Sequence, residues 1–120
     1  ICNHTLEHVD DDRKAMREFY RVLKPGGWAV LNSPINENRS KTYEDFSITE
    51  PAEREKHFGQ RDHVREYGMD YADRLTEAGF TVKIVDILAD LSQQEIDRYG
   101  LLHYGKKTSE EMIYLTIKPE

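Results

Sequence analysis

The chain has 120 residues, enough for one hydrophobic core, and its net charge of −6 argues against a nucleic-acid groove, which needs a basic face to meet phosphate. Charged residues make up 33% and apolar ones 38%, and no apolar run nears the roughly 20 residues of a membrane span, so neither nucleic acid nor membrane is an expected partner. The one cysteine, Cys2, excludes an internal disulfide and, with no secretory pattern at the start, fits a reducing, cytoplasmic setting.

"ICN" (residues 1–3) leads with β-favouring residues and predicts a strand end. "HTLEH" follows at 4–8, with the H-x-x-E-H spacing of the inverted zinc proteases. A zinc helix needs both histidines on one helical face, yet helix signals begin only at Asp10. The string therefore belongs to a strand end and loop. Asp10, Asp11 and Asp12 offer an N-cap and acids for the positive end of a helix dipole. Ala15, Met16, Phe19, Val22 and Leu23 then recur at helical spacing, with Arg13, Lys14, Arg17 and Lys24 on the wet side. Pro25-Gly26-Gly27 stops that helix, and "WAVLNS" (28–33) predicts a buried strand.

Residues 35–66 differ in kind: they are polar, and only "PAEREKHF" (51–58) promises a helix. A segment this long inside one domain is expected to be a lid or binding insertion. "DYADRLTEAGF" (70–80) predicts a second helix, with Tyr71, Leu75 and Ala78 inward and Gly79 as its stop. "FTVKIVDI" (80–87) predicts a strand, Ser92 and Glu95 a capping box on a short helix, and "MIYLTIK" (112–118) a last strand. This alternation implies a single α/β domain with a mostly parallel sheet. Trp28, Tyr20 and Tyr71 are expected in core or rim packing, and Cys2 as a small buried apolar residue.

"LEHV", then "RVLKPGG", then "AGF" after a helix, then "MIYLTIKP", in that order, resemble the second half of a class I S-adenosylmethionine-dependent methyltransferase. The resemblance implies a partial Rossmann-like sheet, the family's strands four to seven with intervening helices, the last strand antiparallel. It also implies S-adenosylmethionine as cofactor and a small-molecule methyl acceptor. The family's glycine-rich cofactor loop has no counterpart, because the sequence contains no G-x-G. Residues 1–120 are thus expected to form a partial methyltransferase domain, a C-terminal half inactive alone, with 35–66 as its insertion. Its open sheet edge would favour a homodimer. Two other readings stand beside this one: a non-catalytic half-domain that pairs with another chain, and a metal-dependent hydrolase using His4, Glu7 and His8.

The resemblance places part of the cofactor pocket just past the fourth strand, on Asn3, His4 and Thr5. Some members, including quinone-biosynthesis and small-RNA methyltransferases, carry E-x-x-E-H there and bind a divalent metal. The corresponding ligands here are His4, Glu7 and His8, with His57 or His63 as a further candidate. Two imidazoles and a carboxylate suit zinc, iron or manganese better than magnesium. "HFGQRDHVREYG" (57–68) is the expected acceptor side, where Gln60, Asp62, His63, Arg65 and Tyr67 gather donors, acceptors and a base. His63 beside Asp62, together with His8, makes the candidate general-base set.

Overall fold

The computed structural model describes residues 1–102 and 112–120. In chain order the elements are β1 (Cys2–Asn3), a 3-10 turn (Leu6–His8), α1 (Asp12–Val22), β2 (Trp28–Asn32), β3 (Tyr43–Glu44), α2 (Pro51–Phe58), β4 (Arg65–Glu66), α3 (Tyr71–Glu77), β5 (Thr81–Asp86), α4 (Gln93–Tyr99) and β6 (Met112–Ile117). Four of the strands make one sheet in the order β1-β2-β6-β5. β1 runs parallel to β2, the two joined by the α1 crossover, while β6 is antiparallel to both its neighbours. A mixed sheet of this order, with its last strand reversed, is consistent with the partial Rossmann-like fold.

Helix α1 forms because Asp11, alone of the three aspartates, caps it, its carboxylate accepting from the Lys14 amide at 2.9 Å. Met16 is fully buried on its inner face, with Ala15, Phe19, Tyr20 and Leu23 packed around it. Val22, expected inward, is 63% exposed. Six residues on from Met16 it is turned about 120° away from the buried seam. At the other end of the helix Lys118 donates to the Tyr20 and Leu23 carbonyls, which have no intrahelical partner.

Helix α3 buries Tyr71 and Leu75 completely, and the Tyr71 hydroxyl donates to the Leu31 carbonyl at 2.8 Å. It ends at Gly79, where φ is +112° and a β-carbon would lie 2.9 Å from the Tyr20 ring. Both facts require glycine. The core is Leu6, Met16, Leu31, Tyr71, Leu75 and Phe80, closed by Tyr114 from β6. Trp28 stands outside it at 59% exposure, beside Leu115 and Ile117 on the opposite face of the sheet. Cys2 is half-buried.

Residues 35–66 carry more structure than their polar composition suggests. β3 and β4 pair antiparallel, Tyr43 opposite Glu66 and Glu44 opposite Arg65, with α2 between them in sequence. Pro51 starts α2 and Gly59, at φ +91°, ends it. The Asp70 carboxylate accepts from both the amide and the hydroxyl of Thr42, and Asn36 donates its amide to the Tyr67 carbonyl. These ties fold the segment back over the turn that follows β1. Among the described residues no helix is long and apolar enough to cross a membrane.

Candidate functional site

A cleft of about 320 Å³ opens beyond the ends of the parallel strands β1 and β2, lined by His4 and Glu7 from the first loop, Ile35 from the second, and Phe58, Gln60 and His63 from the insertion. In open α/β sheets the carboxyl ends of the strands are where ligands bind, because loops there can converge without breaking the sheet. His4 continues the β1 pairing through its amide to the Asn32 carbonyl (2.9 Å) and then takes φ +52°, a left-handed conformation unfavourable to a side chain. That reversal drops Leu6 into the core, 1% exposed, and starts the 3-10 turn.

Glu7 is buried to 2% exposure by the same turn. Its Oε2 accepts from the Ser33 hydroxyl at 2.8 Å, while Oε1 is buried with no hydrogen-bond partner. His8 Nδ1 lies 3.1 Å from the Asp62 carbonyl oxygen and 3.4 Å from its carboxylate. A carbonyl only accepts, so Nδ1 carries the proton. In the neutral ring the lone pair of Nε2 then faces Glu7 Oε1 at 3.5 Å. A metal ion between these two acceptors would give both of them a partner.

His63 completes the group. Its ring stands edge-on to His8, centroids 4.6 Å apart, and one ligand atom from each of Glu7, His8 and His63 lies within 4.8 Å of the others. Two ligand atoms of a tetrahedral ion with bonds of about 2.1 Å are about 3.4 Å apart, close to the Glu7–His8 spacing. The Glu7–His8 pair therefore fits a divalent cation, with a His63 ligand atom within 4.8 Å of both. Burial is the first cause that pushes the His63 pKa down, and nearby His8 adds to it, against the upward pull of Glu7, Asp62 and the Phe58 carbonyl. A neutral imidazole is what a metal ligand or general base must be.

The turn is held by buried charge. Arg65, fully buried, donates to the carbonyls of Leu6, Val9 and Asp10 and to Glu44. Arg74 bridges Asp12 (2.8 Å) and both oxygens of Glu44. Asp12 in turn accepts from the Tyr67 hydroxyl at 2.6 Å. Burial alone would raise the Glu44 pKa, but the hydrogen bonds and charges of Arg74 and Arg65 outweigh it and bring it down to about 2.

These shifts define two pH windows. His63 is depressed in the folded chain, so the unfolded chain binds more protons and stability falls as pH drops through 6.5 towards the lower folded value. Glu44 is depressed too, but as an acid: its contribution is full above 4.5 and is lost as pH falls towards about 2. Denaturant midpoints measured from pH 7.5 down should decline in both windows. In His63→Asn the upper decline should flatten while the lower one stays; an unchanged upper decline would exclude His63 as its cause.

The structure gathers Glu7 and His8 with His63, whereas His4, a ligand implied by the resemblance, is exposed at the rim of the same cleft and outside that group. Asn3 and Thr5 are exposed beside it, and the Thr5 hydroxyl donates to the Asn3 carbonyl. Asp62 sits against His8 rather than pairing with its sequence neighbour His63. His57 turns instead to Tyr43, whose hydroxyl lies 3.0 Å from its Nδ1. Arg65 and Tyr67, read from the sequence as acceptor-side donors, direct these hydrogen bonds to protein atoms. Ser33, Asp12, Glu44 and Arg74 had no place among the candidates. Only their partners far along the chain reveal what they do.

Residues 1–31 match the family model described as a methyltransferase domain. Ubiquinone/menaquinone biosynthesis C-methyltransferases from Enterobacter sp. (strain 638), Klebsiella pneumoniae (strain 342) and Escherichia coli O9:H4 (strain HS) are each 46% identical over 46 residues. That stretch is 36% of this chain and 18% of each relative, so the match spans less than a fifth of their length. No solved structure matches the chain. The likeness to methyltransferases thus rests on a small part of the chain.

Proposed function

We propose that this chain carries the acceptor side of a cytoplasmic S-adenosylmethionine-dependent methyltransferase acting on a small molecule, with a divalent cation held by Glu7, His8 and His63. The observation that supports it is the buried, unpartnered Glu7 Oε1 facing Nε2 of His8 at a cleft on the carboxyl ends of β1 and β2. S-adenosylmethionine supplies an activated methyl on sulfur, and a divalent cation lowers the proton affinity of an acceptor group beside it.

The residues of the chain align and desolvate. Glu7 presents a carboxylate already stripped of water, and Asp62 holds His8 in the tautomer whose Nε2 is free. His63 is kept neutral by burial and is placed to hold the ion or take the acceptor proton. Phe58 and Ile35 line the same cleft as apolar surface that excludes water from the reacting atoms. Exposed Asn3, His4 and Thr5 border the donor side of the cleft.

Chelator dialysis of the enzyme carrying this chain should abolish methyl transfer, and added zinc or manganese should restore it. Transfer unchanged by chelation would overturn the metal. Bound metal without affinity for S-adenosylhomocysteine would overturn methyl transfer and favour a hydrolase.

A further inference from the structure

We infer that Arg65 is the positioning residue of this site, setting the spacing between the two parts that meet there. Glu7 and His8 lie on the turn after β1, and His63 comes from the insertion, more than fifty positions along the chain. Three features of the 62–65 segment lock these parts together: the Asp62 carbonyl accepts from His8, the Val64 amide donates to the Glu7 carbonyl at 2.9 Å, and Arg65 binds the turn.

Arg65 makes the largest contribution of the three. Its Nη1 donates to the Leu6 and Val9 carbonyls and its Nη2 to Asp10, so one guanidinium spans the start and the end of the turn that carries Glu7 and His8. Nε donates to Glu44 at 2.6 Å, which fixes the same fork from behind. Four of the five N–H groups of an arginine are thereby engaged. The Leu6 carbonyl also accepts from the Val9 amide, which closes the turn, and a planar cation is the one side chain that can face Leu6, Val9 and Asp10 together while remaining charge-balanced. Lysine brings one nitrogen to the site and cannot face the turn carbonyls and Glu44 together.

This inference rests on the reading of Glu7, His8 and His63 as the site, so its test uses one readout that needs no metal. In the metal-free full chain, at one fixed pH, the His8–His63 ring contact should give a cross-ring NOE. Arg65→Lys should lose that contact and bind Co²⁺ about 10- to 100-fold more weakly, the size expected when a group supporting metal ligands is changed. Glu44→Gln keeps an acceptor for Nε and all three carbonyl bonds. It should lower the thermal midpoint yet keep the ring contact and hold Co²⁺ affinity within about twofold.

A ring contact retained in Arg65→Lys would overturn the positioning role. So would its equal loss in Glu44→Gln, which would mean general loosening. A wild-type chain that shows the ring contact but binds no Co²⁺ would sink the metal reading separately, leaving the ring contact to decide Arg65.

Discussion

Asp12→Ala should destabilise the chain by about 3 kcal/mol, the low end of the range for breaking a buried ion pair from one side. Asp12 is 3% exposed and faces Arg74 at 2.8 Å, Arg65 at 3.7 Å and the Tyr67 hydroxyl at 2.6 Å. Removing its carboxylate leaves two buried guanidiniums sharing Glu44 as their one carboxylate, and takes the nearer of two acceptors from a buried phenol. Glu44 keeps the loss below the top of the range. Asp12→Asn preserves volume and an oxygen for Tyr67 but removes the charge, so it should fall between wild type and alanine. Thermal or denaturant unfolding reads the series; about 3 kcal/mol corresponds to a midpoint shift of roughly 12 °C for a domain of this size. If Asp12→Ala shifted the midpoint no more than an exposed substitution such as Arg17→Ala, the buried network would contribute nothing net. The acid limb of the pH profile gives an independent check, because Glu44 belongs to the same network.

Glu7→Gln should move stability and metal binding in opposite directions. In the metal-free chain Glu7 Oε1 is buried and unpartnered, with the lone pair of His8 Nε2 opposite it. Glutamine puts an N–H there, which donates to that lone pair, while its oxygen still accepts from Ser33. The substitution removes a buried charge and satisfies both groups, so the unfolding midpoint should stay level or rise. Affinity for Co²⁺ or Zn²⁺ should fall by at least about 100-fold, since an amide is a poor ligand beside two imidazoles. This combination marks a residue kept for function at a cost in stability. Ser33→Ala separates the terms. It removes a hydrogen bond to Oε2 without changing charge, and should lower stability while lowering metal affinity less than Glu7→Gln. A clear loss of stability in Glu7→Gln would show that the carboxylate is structurally satisfied, and the case for a cation between Glu7 and His8 would fall with it.

The local rules of the chain carried the elements. Apolar spacing around Met16 and around Tyr71 and Leu75 announced two helices, and the serine and glutamate of the capping box announced a third. The glycine after α3 was legible as a helix stop, and its φ of +112° fits that role. The helices and the glycine stop are encoded within a few residues of one another, whereas the reversed last strand was implied by the family resemblance, and β6 is indeed reversed.

The charges and the site were not local. Asp12 reads as a helix-dipole acid, and only folding back of the insertion buries it between Arg74 and Tyr67. Arg65 sits in a string that looks like open polar surface, yet its partners lie 21 to 59 residues away. "HTLEH" supplied two members of the candidate metal group, because Glu7 and His8 share one turn. It could not show that His4 would be swung to the rim by a left-handed backbone, nor that His63 would arrive edge-on to His8. Sequence by itself determined the main helices and the longer strands, though not the short β3–β4 pair. The tertiary structure alone decided which polar groups lose their water. Desolvation is set by what packs across the chain, and it turns ordinary acids and histidines into a site.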